Sequence, residues 1–292
     1  MNEILEFGNK IFQNQKRKAH EFKEITLEIR RDIIKMLVRA KSGHSGGPLG
    51  IADVFSVLYF GAYMNYNPNE PFWKERDRFI LSSGHYCPVQ YSALARAGFY
   101  PVKEMETLRK FGSRLQGHPG RDMGLPGIEV STGSLGQGIS IAVGMAMNDK
   151  YLDKNQQKVF CLTGDGELQE GSCWEAAMAA ANFKLDNLCW IVDNNDCQID
   201  GRVHDVMNIY PLDKKFESFN FDVIIIDGNS TEQIIRAFDK FTMNYNSKTG
   251  KPTVIIAKTK MGKAVSFMED KYQWHGNPPN EEQALLALEE LK

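Results

Sequence analysis

The 292-residue chain lacks any apolar run near the roughly 18 residues that a membrane-spanning helix requires. It also lacks an excess of charge. Thirty-five basic side chains face 37 acidic ones, a net of −2, so there is no electrostatic footprint for nucleic acid or for an anionic membrane surface. Residues 1–18 are polar and of mixed charge, without the apolar stretch of a secretory signal. The five cysteines, Cys87, Cys161, Cys173, Cys189 and Cys197, are odd in number and contain no CxxC pair. A disulfide framework and a zinc site are thereby disfavoured, and reduced thiols in a cytoplasmic core are expected. Neither glycine-rich run fits a nucleotide fingerprint. Residues 133–138 read GSLGQG and 164–171 read GDGELQEG, and no GxxxxGK[ST] occurs. Repeats, low-complexity tracts and linkers are absent as well. What remains is a soluble globular chain, expected to form one domain over residues 1–292 with a helical N-terminal extension to about residue 41.

What is present is a repeated alternation. Phe22, Ile25, Ile29, Ile33, Met36 and Ala40 recur at steps of three and four, which predicts a helix over residues 19–41. Glu21, Lys23, Arg30 and Arg31 fall outside that stripe and read as its solvated face, and Gln15-Lys16-Arg17-Lys18 as a solvated approach. Compact runs rich in Val, Ile and Phe predict strands at 78–81, 158–163, 188–193, 222–226 and 253–257. Their hydrophobicity is continuous, as in parallel strands covered on both faces. Helical stretches lie between them at 88–98, 136–152, 169–183 and 231–244, the last with a capping signal in Ser230 or Thr231. Strand and helix in turn imply an α/β fold: a doubly wound, mainly parallel sheet with helices on both faces.

In such sheets ligands bind beyond the carboxyl ends of the strands. After the strand ending at Thr163 comes Gly164-Asp165-Gly166, and after the next comes Asp193-Asn194-Asn195. Asp165 and Asn195 are 30 residues apart, room for one helix and a return strand. Neighbouring strand ends therefore present a carboxylate and an amide oxygen to one point. Hard oxygens of this kind suit Mg²⁺, with Ca²⁺ or Mn²⁺ as substitutes, and phosphate oxygens and water complete such a shell. Glycines on either side of Asp165 let the backbone come close to a diphosphate.

The GDG segment with NN some thirty residues on resembles the signature of thiamine-diphosphate enzymes. The surrounding segments narrow the likeness. Lys41-Ser42-Gly43-His44-Ser45-Gly46-Gly47-Pro48-Leu49-Gly50, Leu81-Ser82-Ser83-Gly84-His85, Gly117-His118-Pro119-Gly120 and Ser131-Thr132-Gly133-Ser134-Leu135-Gly136-Gln137-Gly138 all resemble transketolase motifs. Ile199-Asp200-Gly201 and Trp274-His275-Gly276 extend the match, which runs in order from about residue 20 to 280. The chain looks like the diphosphate-binding half of a transketolase, similar to the N-terminal subunits of split enzymes.

That resemblance implies a set of roles. Asp165, Asn195 and the backbone carbonyl of Cys197 would be metal ligands. Gly133, Gly164 and Gly166 would bring backbone to the cofactor, thiamine diphosphate, and Leu135 would pack near its aminopyrimidine. His85 and His275 match diphosphate contacts, and His44, His118 and His275 would line the substrate channel. Glu170 and Glu175 match carboxylates near a subunit contact, where Glu170 joins a network linking cofactor sites. The implied reaction moves a two-carbon ketol unit from a ketose phosphate to an aldose phosphate. The implied partner is a C-terminal, pyrimidine-binding subunit in an α₂β₂ assembly. Two features depart from the family pattern: Ser45 stands where many relatives have proline, and Gly120-Arg121 replaces an acidic residue beside the channel. His20 and His204 lie outside the motifs and read as structural or solvated. The alternatives are a related ketol- or acyl-transferring enzyme of specialised sugar metabolism, or a non-catalytic diphosphate-binding subunit.

Overall fold

The computed structural model describes residues 7–8, 10–154 and 157–292. Three helices, α1 (Phe22–Ala40), α2 (Gly46–Gly50) and α3 (Ala52–Phe60), come before strand β1 (Arg78–Leu81). Next are α4 (Cys87–Arg96), α5 (Gln137–Met147), β2 (Val159–Gly164), α6 (Gly171–Asn182) and β3 (Leu188–Asn194). A small hairpin of β4 (Cys197–Gln198) and β5 (Gly201–Arg202) leads to α7 (Val203–Val206), α8 (Leu212–Ser218) and β6 (Asp222–Asp227). The order continues with α9 (Thr231–Asn246), β7 (Thr253–Lys258) and α10 (Glu281–Glu290).

The five long strands form one parallel sheet in the order β1-β2-β3-β7-β6. Because strand side chains alternate, one apolar run supplies two cores. Phe160 and Leu162 of β2, with Cys189 and Ile191 of β3, face α1, α3, α4 and α9. Val159, Cys161, Leu188, Trp190 and Val192 face α5, α6 and α8. Strand β6 departs from the expected two-sided burial. It is an edge strand, and Ile225 is 48% exposed. Among the described residues no helix is long and apolar enough to cross a membrane.

The helical layer departs in instructive ways. Helix α1 packs against α3, α4 and α10, so little of it is left for a solvated face. Arg30 is buried, donating to Asp53 at 2.6 Å and to the Leu49 carbonyl at 3.1 Å, and Arg31 reaches the carbonyls of Leu291 and Lys292. The basic approach is exposed at Gln15, Lys16 and Lys18, as expected, while the Gln15 N–H and Arg17 Nε both donate to the Phe60 carbonyl, one of the acceptors left open at the end of α3. Ser230 does stand at the N-cap of α9, but its hydroxyl turns to Glu232 rather than to the backbone. The expected helix over 136–152 becomes α5 followed by a π-helical turn, Asn148–Leu152. All five cysteines are free and buried.

Asp32 of α1 and Arg96 of α4 are both fully buried and meet through two hydrogen bonds of 2.7 Å, with Ser92 adding a third donor at 2.8 Å. Removing one partner leaves a buried charge unmatched. Asp32→Ala is expected to cost about 3–5 kcal/mol in urea unfolding, whereas an apolar pair of similar volume at 32 and 96 should cost far less.

Candidate active site

The carboxyl ends of β1, β2, β3 and β7 lie side by side, and each carries polar residues just beyond its last paired position. Asp165 follows β2. It is 1% exposed, and its Oδ1 accepts the Gly166 N–H at 2.8 Å while Oδ2 accepts Asn194 Nδ2 at 2.9 Å and the Asp196 N–H at 2.6 Å. Burial, with the Asp193 carboxylate as neighbour, pushes its carboxyl up to about 7. Asp193 is buried on β3 and pushed up to about 6 by burial, while hydrogen bonds from Thr259, Tyr86 and Asn195 oppose the shift. Asn195 gives Nδ2 to Asp193 and to the Tyr86 hydroxyl, so its Oδ1 faces the Cys197 N–H at 2.9 Å. The amide is thereby oriented.

A third carboxylate, Glu167, has no role among those the sequence motifs imply. It is 2% exposed, and burial raises it to about 7. Among the described residues, Asp165, Asp193 and Glu167 are held by neutral donors and by no lysine or arginine.

Asp165 and Glu167 border a cavity of about 380 Å³, and Asp193 and Asn195 are not among its lining residues. His44, His85, His118, Gly133, Leu135, Gly164, Asp165, Gly166, Glu170, Cys197 and His275 all line it, segments from across the chain brought to one place. The rings of His44, His85 and His275 form a cluster with centroids 4.9–5.7 Å apart. Burial holds His44 down to about 4, aided by His275 and Arg109, and it lowers His85 and His275 too. His118 is more open and is lowered by partial burial and Arg109. Near neutral pH the cluster is therefore uncharged. The Nδ1 atoms of His44 and His275 are buried without a hydrogen-bond partner.

Backbone geometry explains two glycines. A Cβ at Gly47 would overlap the Tyr86 ring at 2.1 Å, so the glycine lets Tyr86 reach Asp193. Gly133 has φ +135°, and a Cβ there would meet His118 Cδ2 at 2.8 Å. Gly164 and Gly166 differ. A Cβ at Gly164 would meet nothing nearer than the Tyr86 hydroxyl at 4.0 Å, and at Gly166 the nearest atom is Gln198 Cβ at 3.4 Å. Packing within the chain does not demand these two glycines. They leave room on the cavity side, which suits an oxyanion lying against the turn.

Two expected site residues stand apart. Glu175 is exposed on α6 and is not in the cavity wall, a position open to the subunit contact that the resemblance implies for it. Asn195 sits just behind the wall, buried among Tyr86, Asp193 and Cys197. Among the described residues no three His, Cys, Asp or Glu side chains form a metal-holding group. A cation here must draw on Asp165, amide or carbonyl oxygens and the oxygens of a bound ligand. The electrostatics fit such an ion. A diphosphate approaching Asp165, Glu167 and Glu170 is repelled unless a cation lies between.

Comparison with known proteins agrees with this geometry. Residues 23–291 match the family described as transketolase, thiamine diphosphate binding domain. One of the separate subunits of the apulose-4-phosphate transketolase of Phocaeicola vulgatus is 42% identical over 262 residues, 90% of both chains. The 6-deoxy-6-sulfo-D-fructose transketolase subunit SqwG of Clostridium sp. (strain MSTE9) is 39% identical, covering 94% of each. Human transketolase is 40% identical over 94% of this chain but only 42% of its own length. The crystal structure of Campylobacter jejuni transketolase superposes with a TM-score of 0.84 at 35% identity, over 93% of this chain and 43% of that one. The chain thus spans about two fifths of the full-length enzymes and nearly all of the separate subunits. From strand ends to sequence match, the chain belongs to the transketolase family, in its thiamine diphosphate-binding domain.

Proposed function

We propose that this chain is the diphosphate-binding subunit of a two-subunit, transketolase-type enzyme that transfers a two-carbon ketol unit between sugars. The observation that carries the reading is the convergence of Asp165, Gly164, Gly166 and four histidines on one cavity at the strand ends. The family match supports thiamine diphosphate as cofactor. Bound there, thiamine diphosphate supplies the carbanion chemistry that side chains cannot.

This chain's own residues bind, orient and move protons. Asp165, Asn195 and the Cys197 carbonyl would hold Mg²⁺, and the backbone at Gly164 and Gly166 would lie along the diphosphate. Leu135, on the cavity rim, offers an apolar surface to the cofactor's ring. His44, His85 and His275 are neutral, so each can donate from one ring nitrogen and accept at the other. His44 and His275, each with an unpartnered Nδ1, would bind or exchange protons with a substrate hydroxyl. Glu170, also in the wall, would join the network linking cofactor sites across subunits.

The relatives support this reading of the partner and the sugars. Three relatives covered along at least 90% of their length are named as subunits, two of them for apulose 4-phosphate and one for 6-deoxy-6-sulfo-D-fructose. A C-terminal subunit carrying the pyrimidine-binding half, assembled as α₂β₂ in the cytoplasm, completes the site in this reading. Ketoses of specialised sugar metabolism are then candidate donors beside xylulose 5-phosphate.

In the assembled enzyme, Asp165→Asn keeps the side-chain shape but removes the anionic metal ligand. Calorimetric titration should show Mg²⁺-dependent thiamine diphosphate affinity falling at least about 100-fold. Undiminished affinity refutes the ligand assignment.

His44 also links stability to pH. Its folded pKa of about 4 lies below the unfolded value of about 6.5. Its contribution is complete above pH 6.5 and is lost as pH falls toward 4, because the unfolded chain takes up the proton first. Melting temperatures measured from pH 7 to 4 should fall less steeply for His44→Asn than for the native chain.

The assay of the whole reading is reconstitution. The purified chain alone should show no ketol transfer, and adding the C-terminal subunit should restore it. Xylulose 5-phosphate with ribose 5-phosphate, and separately apulose 4-phosphate, identify the donor. Robust turnover with no second polypeptide detectable by mass spectrometry overturns the two-subunit reading.

A further inference from the structure

Glu167 occupies a position that none of the expected cofactor roles explains. Its Oε1 accepts the Ser82 hydroxyl at 2.5 Å and the Gly136 N–H at 2.8 Å, and its Oε2 accepts the Gly164 N–H at 3.2 Å. The three donors belong to three separate segments. Ser82 follows β1, Gly136 ends the loop that carries Gly133 and Leu135, and Gly164 immediately precedes Asp165. Glu167 also borders the cavity itself.

We propose that Glu167 is a positioning residue whose carboxylate sets the spacing between the Gly133–Leu135 loop and the turn that carries Asp165. The proposal rests on the cofactor reading above. In that reading the loop meets the ring and the turn meets the diphosphate, so their separation must match one molecule. Charge is what makes this arrangement work. An ionised carboxylate is acceptor-only, with lone pairs on both oxygens, and one side chain can therefore hold three donors. Glutamine of the same shape has a single acceptor oxygen. With that oxygen toward Ser82 and Gly136, its NH₂ opposes the Gly164 N–H; turned over, it loses the loop instead. Either way one of the two cofactor-facing segments is released while the packing volume is kept. A buried acid with no cationic partner is also costly to keep.

A positioning role and a structural tie separate in a Glu167→Gln variant of the assembled enzyme. A positioning role predicts that the dissociation constant for thiamine diphosphate in saturating Mg²⁺ rises about 10–100-fold, the usual effect of losing a group that orients ligands. The cofactor-free melting temperature should change little, because the lost acceptor and the removed buried charge act in opposite directions, and kcat at saturating cofactor should largely recover. Glu167→Asp, which keeps the charge but is one methylene too short for all three donors, should weaken cofactor binding in the same direction and serves if the glutamine variant does not fold. Equal dissociation constants in native and variant enzymes overturn the proposal. A lower melting temperature with unchanged cofactor affinity also overturns it, in favour of a structural tie. Failure of the native assembly to bind thiamine diphosphate at all overturns the cofactor reading, and this proposal with it.

Discussion

The site is organised around buried carboxylates that meet no cationic side chain. Asp165, Glu167 and Asp193 sit within a few residues of two adjacent strand ends, each pushed toward neutrality by burial. What keeps them there is a set of neutral donors: backbone N–H groups from the turns, Ser82, Tyr86, Thr259 and two asparagines. These donors come from several loops, so the carboxylates draw the loops together. A divalent cation is the natural complement to such an arrangement.

Elsewhere in the fold the same problem is solved differently. Asp32, Asp53 and Glu129 are also buried, and each is met by an arginine at 2.6–2.7 Å. Charge is cancelled within the chain there, which makes a rigid support and leaves nothing to bind. At the strand ends it is left uncancelled. The contrast separates acids that hold the fold together from acids that leave a charge deficit for a ligand to fill.

Much of this is legible in the sequence, for definite reasons. Five apolar runs correspond to five parallel strands because two-sided burial leaves a continuous signature, and β2, β3 and β7 show it fully. Helix α3 leaves no periodic signal because every residue from Ala52 to Phe60 is buried, so it has no polar face to count. The burial of Arg30 escapes the sequence for the related reason that polar identity stands in for exposure only when the helix has a wet side. In the site, Asp165 and Asn195 are visible because their spacing matches one strand–helix–strand unit. Glu167 and Tyr86 are not. Their partners lie 31 residues away at Gly136 and 107 away at Asp193, and only the folded sheet brings them together. The glycines beside Tyr86 and His118 are visible as motifs, but their cause, close approach of a ring, is a three-dimensional fact.

The strand order carries a consequence for how the chain is made. Strand β7 lies between β3 and β6, although it follows both in sequence. As the polypeptide emerges from the ribosome, β6 has no neighbour to pair with, and the inner edge of β3 stays open beside it. Both edges wait for residues through Lys258. At synthesis rates of about 5–20 residues per second that is an interval of seconds, long compared with hairpin formation and with collapse. During that interval the nascent chain exposes a gap one strand wide, flanked by Val, Ile and Trp. The late strand closes it like a keystone, and the sheet is completed from its middle rather than from its ends.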